Sequence, residues 1–328
     1  MAEVPWQLIF FLIAIAYQLI SITIEDKTAK PSGKLIELNG QKFHYWWQEK
    51  GRQNGIPTIV LDHSLGGLDG YFLIEELSKL SRVFIYDRPG YGWSQPSSKP
   101  RTSQQIVDEL DALLAIAKIS PPYILIGDSF GSYNVRLYAH QFPQKVVGMV
   151  LTDGLHEDLM LKMPLFLNLV KAFLTLSFGL AQIGAFLGII RVCGTIGLFH
   201  LLKPTLRNFS TETLKPVMRS FYRSNHWAAM GREMLSLNTS SRQLRQAQNF
   251  GHLAIVSIQA KHFLRPSLGL FSFPIPFADR LRGQMQAKLS QLSTDVLQLS
   301  ANQSSHFVWV DEPEVILEAV QYLLRKVV

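Results

Sequence analysis

The chain has 328 residues, 47% hydrophobic and 17% charged, with a net charge of +7 and one cysteine. That is enough for one large domain or two small ones with a substantial core, with apolar surface left over for a membrane. The lone Cys193 excludes an intrachain disulfide. The absence of a Lys/Arg block or nucleic-acid motif speaks against nucleic acid as a partner, and no Cys–His cluster suggests a metal.

Val4 to Ile24 is almost entirely apolar, broken only by Gln7, Gln18 and small hydroxyl residues. About twenty such residues span a bilayer as a helix. A cleaved signal peptide is the rival, with Ala14-Ile15-Ala16 as its site. Met1-Ala2-Glu3 lacks a basic residue, however, and the apolar run continues past that point. The reading favoured is an uncleaved anchor over 1–31. Lys27, Lys30 and Lys34 follow the apolar run, and the positive-inside bias would keep the body on the cytoplasmic side. The basic excess also fits attraction to anionic lipid headgroups.

Residues 34–47 alternate around Asn39-Gly40 and read as a hairpin. Buried strands follow at 57–62 and 82–86. Ser103 to Ile116 has helical spacing, with Ile106, Leu110, Leu113 and Leu114 on one face. A strand at 123–126, a helix to about His140 and a strand at 146–152 continue the alternation. Such an order signals an α/β protein with a mostly parallel sheet, whose site lies at the carboxyl ends of the strands.

From about Leu155 to Ala247 the alternation stops and the chain reads as helical and apolar, with no charge between Lys171 and Arg191. Three readings compete: a helical cap, a cap that also dips into a membrane, and a second transmembrane span. Strands resume at 252–258 and 295–299. Helices are expected around 279–292 and 312–324. The expected units are an anchor (1–31), a first core part (32–154), a cap (155–247) and a second core part (248–328).

The most informative residues are Gly127-Asp128-Ser129-Phe130-Gly131, between the strand Tyr123–Ile126 and a helix. Chance supplies a bare G-x-S-x-G in a chain this long about one time in ten. The flanking strand and helix make it a nucleophile elbow. Its turn excludes flanking side chains, hence Gly127 and Gly131. It lifts the Ser129 hydroxyl off the sheet and brings the Phe130 N–H beside it.

A serine hydroxyl needs a base, and the base needs an orienting acid. Of nine histidines, His306 is best placed, in a loop after the last strand. His44, His140, His200 and His226 read as structural or exposed. No carboxylate follows the strand after the cap, in Ile258 to Arg265. Asp153, at the end of the strand before the cap, is the favoured acid, with Glu157 and Asp158 as alternatives. A tetrahedral intermediate calls for two N–H donors. Phe130 supplies one. Leu65, in His63-Ser64-Leu65-Gly66-Gly67, is the candidate for the other.

From about Gly40 onward the chain resembles the α/β-hydrolase fold superfamily, in the branch with a helical cap inserted between core strands. Besides the elbow, the resemblance rests on the D-x-x-G-x-G-x-S turn in Asp87 to Ser94, on Thr152-Asp153-Gly154, and on Ser305-His306-Phe307 followed by Asp311-Glu312-Pro313. It implies a mostly parallel central sheet flanked by helices, and the chain order Ser129, Asp153, His306. The N-terminal helix is added to that fold as a membrane anchor. Two positions depart from common relatives. Asp128 stands where many have His, either to tune the base or to bond a neighbouring backbone. His63-Ser64 stands where a histidine–glycine pair is common. A serine nucleophile argues against aspartyl-ester chemistry. The expectation is a serine hydrolase acting on an ester-like bond of a lipophilic small molecule drawn from membrane lipid, with no cofactor and no metal. The alternatives are a non-catalytic binding or scaffold protein of the same fold, and a membrane protein whose apolar middle builds a channel or complex.

Overall fold

The computed structural model describes residues 6–49, 55–262 and 276–327. Met1 to Pro5, the start of the expected anchor, and Phe263 to Arg265 lie outside those residues. The elements run α1 (Trp6–Thr28), β1 (Lys34–Leu38), β2 (Gln41–Gln48), β3 (Thr58–Asp62), α2 (Ile74–Leu80), β4 (Val83–Tyr86), α3 (Ser103–Ile116), β5 (Tyr123–Asp128), α4 (Gly131–Gln141) and β6 (Val146–Thr152). Then come α5 (Glu157–Leu161), α6 (Leu165–Phe186), α7 (Ile189–Thr195), α8 (Leu198–Leu202), α9 (Thr211–Phe221) and α10 (Ser224–Gln243). The chain closes with β7 (Ala254–Ala260), α11 (Pro276–Leu289), β8 (Val296–Ala301), α12 (Val308–Asp311) and α13 (Glu314–Val327).

The strands form one sheet in the order β1-β2-β4-β3-β5-β6-β7-β8. Pairing is antiparallel for β1–β2 and β2–β4 and parallel from β4 to β8. The hairpin turn has positive φ at both Asn39 and Gly40, the demand that an Asn-Gly pair meets at least cost. The sheet is buried on both faces. Val60, Phe84 and Leu125 point to one core with α3 and α4, and Ile59, Ile85 and Ile124 to another with α2 and α13. Register fixes where side chains emerge. Asp62 pairs with Gly127, Asp128 with Thr152, and Thr152 with Ile258, so these strands end at one carboxyl edge.

Several features differ from the sequence expectation, including α11, which runs Pro276–Leu289 and not 279–292, and the added short α12. A 3-10 turn at Asp69–Phe72 and the short α2 lie between β3 and β4. The seven-residue α2, with Ile74 and Leu77 buried and Leu73 just before it, is too brief to announce a period. β7 also starts two residues later than expected, because Gly251 takes a positive φ and Leu253 N–H donates back to Phe250 O, 3.1 Å, which keeps His252 in the turn.

The helices between β6 and β7 are pinned at both ends by one residue of α4. Arg136 makes a two-pronged ion pair with Glu157, 2.8 and 2.9 Å, and donates to Ala247 O, 3.0 Å. Arg136 and Glu157 are fully buried, so this geometry is what offsets their desolvation. Glu157 is thereby taken up as a strut, and Asp158 pairs with Lys288 at 3.1 Å. Cys193 is half-buried on α7. Two helices, Ile9–Thr28 within α1 and Leu165–Phe186 (α6), are long and apolar enough to cross a membrane by length and composition.

Candidate active site

The elbow is built by close approach. A Cβ on Gly127 would lie 2.6 Å from Gly131 O, and one on Gly131 would lie 2.2 Å from Asp62 O. Glycine at both positions therefore lets β5, α4 and the loop after β3 touch. Ser129 sits at φ 49°, the left-handed region, and its N–H is held by Thr152 O at 2.9 Å. Such a conformation in a non-glycine residue costs about 1–3 kcal/mol and persists only where surroundings over-determine it. The result is a hydroxyl carried above the carboxyl edge of the sheet.

The structure brings Ser129, His306 and Asp153 together. Ser129 Oγ lies 2.9 Å from His306 Nε2, and His306 Nδ1 is hydrogen-bonded to Asp153 Oδ2. The bond to a carboxylate fixes the proton on Nδ1 and leaves Nε2 to accept from the hydroxyl. Asp153 also has positive φ, 43°, at the end of β6, and Ala260 N–H donates to its Oδ1 at 3.3 Å. Burial pushes this carboxyl up, but His306 and then Arg282 outweigh it and hold it below the usual carboxylate value.

Arg282 was not legible in the sequence. It sits on α11 and grips both oxygens of Asp153, at 3.1 Å from Nε to Oδ2 and through a closer contact from Nη2 to Oδ1. It also donates to Ala260 O, 2.9 Å. The only local signal is its i,i+3 spacing from Asp279, which it also pairs.

The two N–H groups assigned to oxyanion binding lie in the expected loops. Among the described residues, neither Phe130 N–H nor Leu65 N–H donates to a backbone acceptor. Phe130 opens α4. The Leu65 loop is shaped by Arg88, which donates to His63 O at 2.8 Å and Ser64 O at 2.7 Å. The same guanidinium pairs with Asp62 and, two-pronged at 2.8 and 3.0 Å, with Glu233 of α10. It lies 5.6 Å from the Phe130 ring centre. Met230, also on α10, packs on Gly66. The His306 loop is tied in a comparable way. Asp311 accepts from Ser305 N–H at 3.1 Å, from Lys203 Nζ at 2.7 Å and from Thr205 Oγ1 at 3.0 Å. The helical insertion thus holds both loops that flank Ser129.

Asp128 is fully buried, and neither carboxyl oxygen has a hydrogen-bond partner. Bonding to a neighbouring backbone, one of the two expectations, is therefore wrong. Burial pushes this carboxyl well above its usual value, with Asp69 and Asp153 adding to the rise. The folded state keeps a proton that the unfolded chain releases near the ordinary carboxyl value. Stability is then lost as pH rises above that value. An Asp128→Asn variant is expected to melt at higher temperature than wild type at neutral pH, with the gain fading as pH falls toward 4, measured by thermal unfolding across pH.

The other histidines have other tasks. His44 lies 2.9 Å from Asp87 and 3.0 Å from Tyr71 Oη. His226 is buried beside Ser220, and burial holds it down to about 3. His63 accepts from Gly70 N–H, 3.3 Å. No group of three or more metal-ligating side chains occurs among the described residues.

Comparison with known proteins gives a consistent family. Residues 57–229 match the family model described as alpha/beta hydrolase fold. The uncharacterized protein YqjL of Bacillus subtilis is 33% identical over 122 residues, 37% of this chain and 47% of that protein. An AB hydrolase superfamily protein of Gibberella zeae is 23% identical over 98% of this chain and 99% of its own. The crystal structure of Cfl2 from Burkholderia cenocepacia superposes with a TM-score of 0.65 at 20% identity, covering 89% of this chain and 95% of that one. The chain spans less than half the length of the first curated relatives it matches. With more than half of its residues inside the family match, and with the sheet, elbow and carboxyl-edge loops described above, this chain belongs to the alpha/beta hydrolase fold family.

Proposed function

We propose that this chain is a serine hydrolase that cleaves an ester-like bond of a lipophilic substrate. The observation that carries the reading is the 2.9 Å contact between Ser129 Oγ and His306 Nε2, with His306 Nδ1 bonded to Asp153. His306 takes the hydroxyl proton as Ser129 Oγ bonds to the substrate carbonyl carbon. The carbonyl oxygen gains the negative charge, and the N–H groups of Phe130 and Leu65 stabilise it. Collapse of that intermediate expels the alcohol, which receives the proton from His306. Water, deprotonated by the same imidazole, then attacks the acyl-enzyme and releases the acid and Ser129. Asp153 keeps His306 oriented and balances its transient positive charge.

The bilayer is the proposed source of substrate. Residues 1–31 act as an anchor, residues 155–247 cap the site, and Lys27 in the last turn of α1 with Lys30 and Lys34 beyond it keep the body on the cytoplasmic side. Assay of the purified full chain in vesicles against esters of graded acyl length tests the reading. Turnover rising with acyl length supports it. Zero turnover across esters, thioesters and amides contradicts it.

Arg282 acts as a positioning residue for Asp153. Arg282→Met removes a positive charge that holds the carboxyl down. The acid limb of the rate–pH profile is expected to move to higher pH, while Arg282→Lys retains most of the wild-type profile. An unchanged profile in Arg282→Met would assign the ion pair to stability alone.

A further inference from the structure

We infer that α1 and the outer face of α6 to α8 form a single lipid-embedded surface, so that the insertion enters the bilayer beside the N-terminal helix. The inference rests on the anchoring part of the reading above and is independent of the chemistry of Ser129. A lone anchor would leave the body in water and meet it only near its end. In this structure α1 packs along the insertion from its middle onward. A Cβ on Gly188, at the α6–α7 joint, would lie 3.0 Å from Ala14 O and 3.1 Å from Gln18 Cβ. Gln18 is 1% exposed, donates to Tyr222 O at 2.6 Å and accepts from Arg191 Nε at 2.6 Å. Arg191 also pairs with Glu25, and Arg219 and Arg223 reach Asp26 at 2.8 and 2.9 Å. Whatever depth Ala14 and Gln18 reach, the α6–α7 joint reaches too.

The polarity pattern identifies the occupant. Water-facing helices put polar groups outward and apolar groups inward. This region does the reverse. Gln18, Arg191 and Lys171 point inward to partners, with Lys171 Nζ 2.8 Å from Asn238 Oδ1. The outward face of α6 is an apolar stripe at helical spacing, Leu169, Phe173, Leu176, Leu180 and Ile183. The outward face of α1 is equally apolar at Leu12, Ile13 and Ile20. Polar groups paired inside and apolar groups outside is the arrangement that hydrocarbon imposes, since it offers no partner to a polar atom. A patch combining two such helices exceeds what a water-exposed surface ordinarily carries. The basic balance of the chain suits an anionic leaflet.

The test uses the full chain with Cys193→Ala, reconstituted into phosphatidylcholine–phosphatidylserine vesicles. Single cysteines replace Leu12 on α1, Phe173 and Leu176 on α6, and Lys215 on α9, each carrying a small fluorophore. Phe173 is 68% and Leu176 63% exposed, so labelling leaves the packing alone. Nitroxide-bearing lipid should remove most of the emission from Leu12→Cys, Phe173→Cys and Leu176→Cys, and iodide should quench Lys215→Cys. Lipid quenching at Leu12→Cys with iodide quenching at both α6 sites would overturn the inference while leaving the anchor standing. Shielding of the α6 sites from both quenchers would overturn it in favour of a protein partner or second copy. Iodide quenching at Leu12→Cys would remove the anchor itself.

Discussion

Ser129→Ala is expected to lower kcat by about 10⁴–10⁶-fold with little change in the melting profile. His306→Ala should fall in the same range, and the double variant should be no worse than either single one. On the proposed mechanism the three groups act as one unit, so removing any member should disable proton transfer and leave the remaining members unable to act alone. What survives is substrate binding and the Phe130 and Leu65 N–H groups, worth far less. Single-turnover measurements on the ester that the acyl series selects would read this. A Ser129→Ala variant retaining more than a tenth of wild-type kcat would remove the hydroxyl from the mechanism.

Arg88→Met is expected to destabilise the fold by about 3–5 kcal/mol in denaturant titration, and to impair turnover at temperatures where it stays folded. Arg88, Asp62 and Glu233 are all buried. Removing the cation strands two carboxylates in a site that water does not reach, and this costs far more than the pair is worth in place. It also frees the His63 and Ser64 carbonyls that set the Leu65 turn. Adding Glu233→Gln to Arg88→Met should recover part of the loss, because one stranded charge is gone. Full additivity of the two variants would mean that Arg88 and Glu233 are not coupled.

What was legible in the sequence shares a physical character. β3, β6 and α3 lie within a residue of their expected bounds, and β5 runs two residues further, since apolar runs and the spacing of Ile106, Leu110 and Leu113 are local signals. The elbow was legible because a tight turn demands glycine at fixed offsets. Asp153 and His306 were placed by strand order, and the structure brings both to Ser129. What stayed hidden acts across the chain. Arg88 meets Glu233 of the insertion, Asp311 meets Lys203, and Arg282 reaches Asp153 from a helix beyond β7. Each is an ordinary charged residue in its own neighbourhood, and only the fold supplies its partner. The docking of α1 is hidden for the same reason. Gln18 reads as a blemish in an apolar helix until Tyr222 and Arg191 are seen beside it.

In the proposed mechanism His306, held by Asp153, makes the Ser129 hydroxyl reactive. Incubation of the full chain with a fluorophosphonate, followed by peptide mapping, tests it most directly. One phosphonyl adduct per chain is expected, on Ser129, lost in Ser129→Ala and strongly slowed in His306→Ala. A folded protein that takes up no label, or takes it up on another residue, would contradict it.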